Sequence, residues 1–183
     1  MIENYLERNK IIKLWKIIIF SPLLIYLGER SLIAFDEGYY ALQAKWILNT
    51  NNWIAPMWWG QISLDRTIGV QFLIALSQKI FNETDFSIFL PSLIFASLML
   101  ILTYYLHEEL LGKKNAIASP LILSTTFLWI NYAHMATQDI IFASIVSSGL
   151  LSTLKASNTK KKIFLFFSGF WIGLGAMFKT YLL

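Results

Sequence analysis

Residues 89–106, FLPSLIFASLMLILTYYL, run for 18 positions without a charged side chain. As a helix, such a run is about 27 Å long, close to the ~30 Å hydrocarbon thickness of a bilayer. A soluble domain would have to bury that helix on every side. The chain as a whole is 56% hydrophobic and only 14% charged, where soluble domains carry about 25% charged residues, so it is short of the polar surface a water-soluble globule needs. The fold class read from the sequence is therefore an all-α integral membrane protein.

Four further apolar runs cover residues 14–32, 116–133, 140–154, and 163 to about 178, the last carried on to 183. About five transmembrane helices are expected, which nearly uses up the chain. The run at 140–154 is short against the ~20 residues a span needs, so it is expected to extend into a flank. Pro22 falls inside the first run, where neighbouring helices can satisfy the carbonyl it frees. That run follows a basic lead and has no small-residue cleavage site, which predicts an uncleaved span that also acts as targeting signal.

Residues 36–88 differ from the rest. NTNNW, APMWWGQ, LDRTIG and FNETDF are turn and interface signals between short helical patterns. ALQAKWIL is expected to lie in the membrane interface, with Leu42, Trp46 and Ile47 on one side and Gln43 on another. Trp46, Trp53, Trp58 and Trp59 suit an aromatic belt at headgroup depth. Residues 68–81, IGVQFLIALSQKIF, fit either a sixth span or an interfacial helix.

Charge decides between them. If 68–81 does not cross, then Arg8, Lys10, Lys13, Lys16, Lys113, Lys114, Lys155, Lys160, Lys161 and Lys162 share one face. That puts ten of the fifteen basic residues on the cytoplasmic side, as the positive-inside rule expects. The interfacial reading follows, and 36–88 becomes a long first non-cytoplasmic loop. Asp36, Asp65 and the HMATQD turn then share the non-cytoplasmic face. No cysteine is present, which excludes disulfides, thiolate metal sites and cysteine nucleophiles. The net charge of +4 is modest, and no basic stripe interleaves with exposed aromatics, so nucleic acid is not an expected partner.

Each candidate site residue has two readings. Asp36 and Glu37 are either a helix cap and first-turn acid or a general base beside its supporting neighbour. Asp139, in ATQDIIF, is a second cap or a second site acid. His134, five residues earlier, stays outside the core site. Asp65 and Arg66 form either a solvated surface pair or a phosphate grip beside a weak metal ligand. Lys179 follows a glycine-rich run containing GxxxG, and either snorkels to the interface or meets phosphate.

In this order, FDEGYYALQAKWIL, NNWIAPMWWGQISLDRTIGVQFLIALSQKIF, LPSLIFA, ATQDIIF and GLGAMFK resemble the N-terminal part of the GT-C membrane glycosyltransferases. The closest resemblance is to the family 39 group, which includes the protein O-mannosyltransferases and the lipid A aminoarabinose transferase. It covers nearly the whole chain but only the first third or so of a typical member. The resemblance implies transfer of a sugar from a polyprenyl-phosphate donor to a lipid, glycan or protein acceptor. It further implies a multi-pass protein of the bacterial plasma membrane, with the active face on the periplasmic or outer side.

The family's acidic pair falls on Asp36 and Glu37, with Asp36 the acid–base residue, and its second-loop aspartate falls on Asp139. The resemblance places Arg66, Lys179 and Tyr40 on the substrate, and Asp65 where a divalent metal ion would be the only cofactor. Two departures stand out: RTI where members commonly have lysine and two prolines, and KTY where they have lysine, glycine and proline. Expected partners are the sugar donor and membrane lipids. The alternative is a non-catalytic membrane fragment or split subunit, with a second chain supplying the missing spans. Transport is disfavoured because the ionisable residues gather at one face rather than at mid-membrane.

Overall fold

The computed structural model describes residues 15, 17–25, 30–55, 57–63 and 66–179. Within them lie seven α-helices and one two-stranded ribbon. In chain order these are α1 (Glu37–Thr50), β1 (Met57–Trp58), β2 (Gln61–Ile62), α2 (Gly69–Phe81), α3 (Asp85–Leu111), α4 (Ala118–Ser124), α5 (Phe127–Ala133), α6 (Gln138–Thr159) and α7 (Lys162–Ala176). Among the described residues, α3 and α6 are long and apolar enough to cross a membrane.

The first expected span is not one continuous helix. Residues 17–20 are helical and pass into a 3-10 turn, Ser21–Leu24. Pro22 sits in that first turn, where its missing N–H costs no hydrogen bond. Residues 30–33 are already non-helical.

α3 starts at a capping box. Ser87 N–H donates to Thr84 Oγ1 and Thr84 N–H to Ser87 Oγ, which satisfies two end donors at once. α6 lies parallel to α3: Ser144 Oγ donates to the Phe95 carbonyl near one end, and Asn158 to Glu109 near the other. As expected, α6 outgrows its apolar run, reaching 22 residues. α7 returns antiparallel, with Thr153 Oγ1 and Ser168 Oγ 2.8 Å apart. The starts of α3 and α6 and the end of α7 therefore lie at one end of the bundle.

The apolar run at 116–133 is broken into α4 and α5, seven residues each. The cause is the Ser-Thr-Thr sequence between them. Ser124 Oγ donates to the Leu121 carbonyl, and Thr125 and Thr126 Oγ1 both donate to the Ile122 carbonyl. Such local bonds compete with the helix ladder, and Thr126 turns extended, with ψ 122°.

α1 also departs from expectation. Its buried stripe is Tyr40, Gln43, Ala44 and Ile47, while Leu42 is exposed. Helical spacing explains this, since Leu42 and Ile47 lie about 140° apart and Gln43 lies four residues before Ile47. Gln43 tolerates burial because its side-chain oxygen accepts from buried Gln71 Nε2 of α2. α2 itself has 13 residues, about 20 Å, which is too short to cross a bilayer core of ~30 Å.

Gly69 joins α2 to the end of α7. Its N–H donates to the Met177 carbonyl at 2.9 Å, and a Cβ there would lie 2.6 Å from that oxygen and 2.8 Å from the Phe178 ring. Phe178 is itself buried, so neither side can yield cheaply. Gly69→Ala is expected to cost about 1–3 kcal/mol, as overpacking does. A thermal melt in detergent checks this, and an unchanged midpoint would contradict it.

Candidate active site

The two adjacent acids at the start of α1 have opposite surroundings. The Glu37 side chain is 0% exposed, while that of Asp36 is 55% exposed. Both Glu37 oxygens receive the Arg30 guanidinium as a two-pronged pair, one prong at 2.8 Å. Ile33 N–H adds a bond of 2.7 Å, and Ala136 N–H, 99 residues away, adds one of 2.8 Å. Arg30 also donates to the His134 carbonyl at 2.7 Å and lies 5.0 Å from the centre of the Phe89 ring. A buried charge is tolerated only when it is paired and hydrogen-bonded this fully. Glu37 thus ties the entry to α1 to the loop that leads into α6.

Asp36 occupies the N-cap position of α1, yet its side chain makes no cap hydrogen bond. Among the described residues its nearest cation is Arg66, at 3.6 Å. That is an ion pair without a hydrogen bond, so the carboxylate oxygens remain able to accept a proton. The Arg66 guanidinium lies 4.8 Å from the Tyr39 ring centre and 5.0 Å from that of Tyr40. Tyr39 in turn stacks on Trp58 of the β-ribbon at 4.3 Å. The ribbon and α1 together hold Arg66 against aromatic faces, a placement that suits a planar cation.

Burial pulls the Arg66 pKa down, but Tyr40, Asp36 and Tyr39 outweigh it and leave the value above the ordinary arginine range. Burial pushes the Tyr40 phenol up, Arg66 opposes this, and the charges of Asp139 and Asp36 reinforce it. Tyr40 therefore stays a neutral O–H at physiological pH. Its oxygen is buried without a well-formed hydrogen bond in the described structure, and both site acids lie within its electrostatic reach.

Asp139 sits in the first turn of α6, whose N-cap is Thr137. Its carboxylate accepts from Lys179 Nζ at 3.1 Å, so the lysine expected to meet phosphate is paired with the aspartate expected to be a second site acid. The Gly69–Met177 backbone bond links the segment after Arg66 to the segment before Lys179. Asp36, Tyr40, Arg66, Asp139 and Lys179 are thus brought to one end of the bundle.

Asp65 lies outside the described residues. Among those described, no group of three His, Asp or Glu side chains could hold a metal ion. Arg30 was not among the residues singled out from the sequence, and its pairing with Glu37 depends on burial that only the fold supplies. His134 contributes its carbonyl to Arg30, while its ring Nδ1 faces the Ile130 carbonyl at 2.8 Å.

The relatives fit this architecture. The solved structure of ArnT from Cupriavidus metallidurans in the apo state superposes with a TM-score of 0.84 at 16% identity, over 94% of this chain and 33% of that one. The same protein bound to undecaprenyl phosphate gives 0.84 over 92% and 32%. In sequence, an uncharacterized protein of Aquifex aeolicus is 28% identical, over 88% of this chain and 32% of its own length. The undecaprenyl phosphate-alpha-4-amino-4-deoxy-L-arabinose arabinosyl transferase of Pseudomonas savastanoi pv. phaseolicola is 25% identical, over 87% and 31%. The chain spans about a third of the length of the curated relatives it matches. Residues 65–183 match the dolichyl-phosphate-mannose-protein mannosyltransferase family; the chain belongs to that family of glycosyltransferases.

Proposed function

We propose that the protein is the N-terminal part of a membrane glycosyltransferase. It moves a sugar from a polyprenyl-phosphate donor to a lipid, glycan or protein hydroxyl at the non-cytoplasmic face. One observation carries the reading: Asp36 stands where a cap would, makes no side-chain cap bond, and among the described residues meets Arg66 at 3.6 Å without a hydrogen bond. A protein of the same fold, ArnT from Cupriavidus metallidurans, has been solved bound to undecaprenyl phosphate.

The chemistry follows from that pair. The acceptor oxygen attacks the anomeric carbon, Asp36 takes the hydroxyl proton, and the bond from sugar to phosphate oxygen breaks. The electrons of that bond leave with the polyprenyl phosphate, whose charge Arg66 meets. The Asp36–Arg66 contact is loose and partly exposed, so a phosphate can replace it at little cost. Tyr40, a neutral O–H buried beside Arg66, backs the guanidinium that meets the phosphate. Lys179, bonded to Asp139 at 3.1 Å, orients that carboxylate toward acceptor or donor. Glu37, with its oxygens committed to four donors, is a positioning residue.

Direct displacement inverts the sugar carbon. Membranes containing the protein, given labelled polyprenyl-phosphate sugar, are expected to release a glycoside of inverted anomeric configuration. A product of retained configuration would overturn the single-displacement mechanism, and no transfer to any acceptor class when the chain is supplied together with the remaining part of such an enzyme would overturn the function.

A further inference from the structure

The opposite end of the bundle holds a second site. Tyr104 and Tyr105 lie about 30 Å along α3 from its start at Asp85, the thickness of a bilayer core. There a cavity of about 660 Å³ opens between the N-terminal helical turn, the end of α3 and the start of α4. That volume is in the range of ligand pockets. Its floor is apolar, built from Ile19, Phe20, Leu100 and Ile101. Its mouth carries Tyr104, Tyr105, Lys113 and Asn115. His107 Nδ1, 2.6 Å from Ser119 Oγ, ties the end of α3 to α4 across the cavity wall.

The charge at this end is one-sided. Among the described residues, the acids in the same loops and helix ends as Lys113, Lys114, Lys155, Lys160, Lys161 and Lys162 are Glu108 and Glu109. Glu108 meets Lys113 at 3.3 Å in an exposed pair, and Glu109 accepts from Asn158. Lys155, outside the lining itself, places its ammonium 5.2 Å from the centre of the ring of Tyr105, which does line the cavity. Ile101 and Tyr105 are 45% and 42% exposed on the outside of α3, so the cavity opens sideways, where acyl chains run, as well as toward the headgroups.

We propose that this cavity binds an anionic phospholipid. One acyl chain lies on Ile19, Phe20, Leu100 and Ile101, and the phosphate is held by Lys113, Asn115 and Lys155. An apolar floor with a mouth of cations and neutral donors matches that amphiphile, and basic pockets at membrane interfaces select anionic headgroups. The site requires α3 to span the bilayer but does not depend on sugar transfer.

The test uses the purified protein in nanodiscs of mixed phosphatidylglycerol and phosphatidylcholine, with bound lipid counted by native mass spectrometry. The wild type is expected to retain phosphatidylglycerol in about tenfold preference. Lys113→Gln with Lys155→Gln is expected to abolish that preference. Lys161→Gln with Lys162→Gln removes the same charge at the same end and is expected to preserve it. Ile101→Trp, on the exposed lining, fills the cavity without disturbing the core and is expected to lower retention of both lipids. Equal retention of the two lipids by the wild type would overturn the proposal. So would an equal loss in the two lysine pairs, which would mean diffuse surface charge rather than a site.

Discussion

Glu37→Ala is expected to lower stability by about 3–5 kcal/mol, the usual effect of removing one partner of a buried ion pair. The substitution leaves the Arg30 guanidinium without its carboxylate and strips acceptors from the N–H groups of Ile33 and Ala136. It also unties the entry to α1 from the His134–Ala136 loop, two elements that nothing in the local chain brings together. Glu37→Gln keeps the shape and one acceptor, and is expected to recover part of the loss. Arg30→Met is expected to cost at least as much as Glu37→Ala, since it leaves the fully buried Glu37 carboxylate without a counter-ion, whereas in Glu37→Ala the surviving Arg30 is one-third exposed. The check is a thermal melt of the purified variants, with the amount inserted in membranes as a second readout. Wild-type melting of Glu37→Ala would remove the structural role.

Asp36→Asn is expected to behave in the opposite way. The side chain is half-exposed, makes no cap bond and meets Arg66 only at 3.6 Å. Its removal is expected to change stability by no more than ~0.5 kcal/mol, as surface substitutions do. Loss of a general base is expected to slow sugar transfer by about 10²–10⁴-fold. Because the asparagine still fits beside Arg66, the effect falls on kcat, with KM for the donor little changed. A fall confined to KM would instead mean that Asp36 binds substrate and takes no proton.

The contrast between these neighbours shows how much was legible in the sequence. Both acids could be picked out, and loop charges grouped them with Arg66 and Asp139. Which acid is buried was not legible, because that depends on Ala136, 99 residues further on, and on Arg30 folding back over Phe89. The runs at 89–106 and 140–154 became the cores of α3 and α6, each extended at its ends beyond the apolar stretch. The run at 116–133 misled, because hydropathy does not weigh Ser124, Thr125 and Thr126 bonding to their own preceding carbonyls. Gln43 was placed on the wrong side of α1 although helical spacing puts it with Ile47; what the sequence does not show is the partner, Gln71 of α2, that lets it be buried. Local chemistry was readable, but partners brought in by the fold were not.

The most direct measurement is sugar transfer per folded molecule from labelled polyprenyl-phosphate donor, with wild type, Asp36→Asn and Glu37→Gln compared in the same membranes. The expected result is a loss of about 10²–10⁴-fold for Asp36→Asn at an unchanged amount of folded protein. Glu37→Gln is expected to lose folded protein while the surviving fraction keeps most of its turnover. Transfer by Asp36→Asn at the wild-type rate would contradict the assignment of Asp36 as the base.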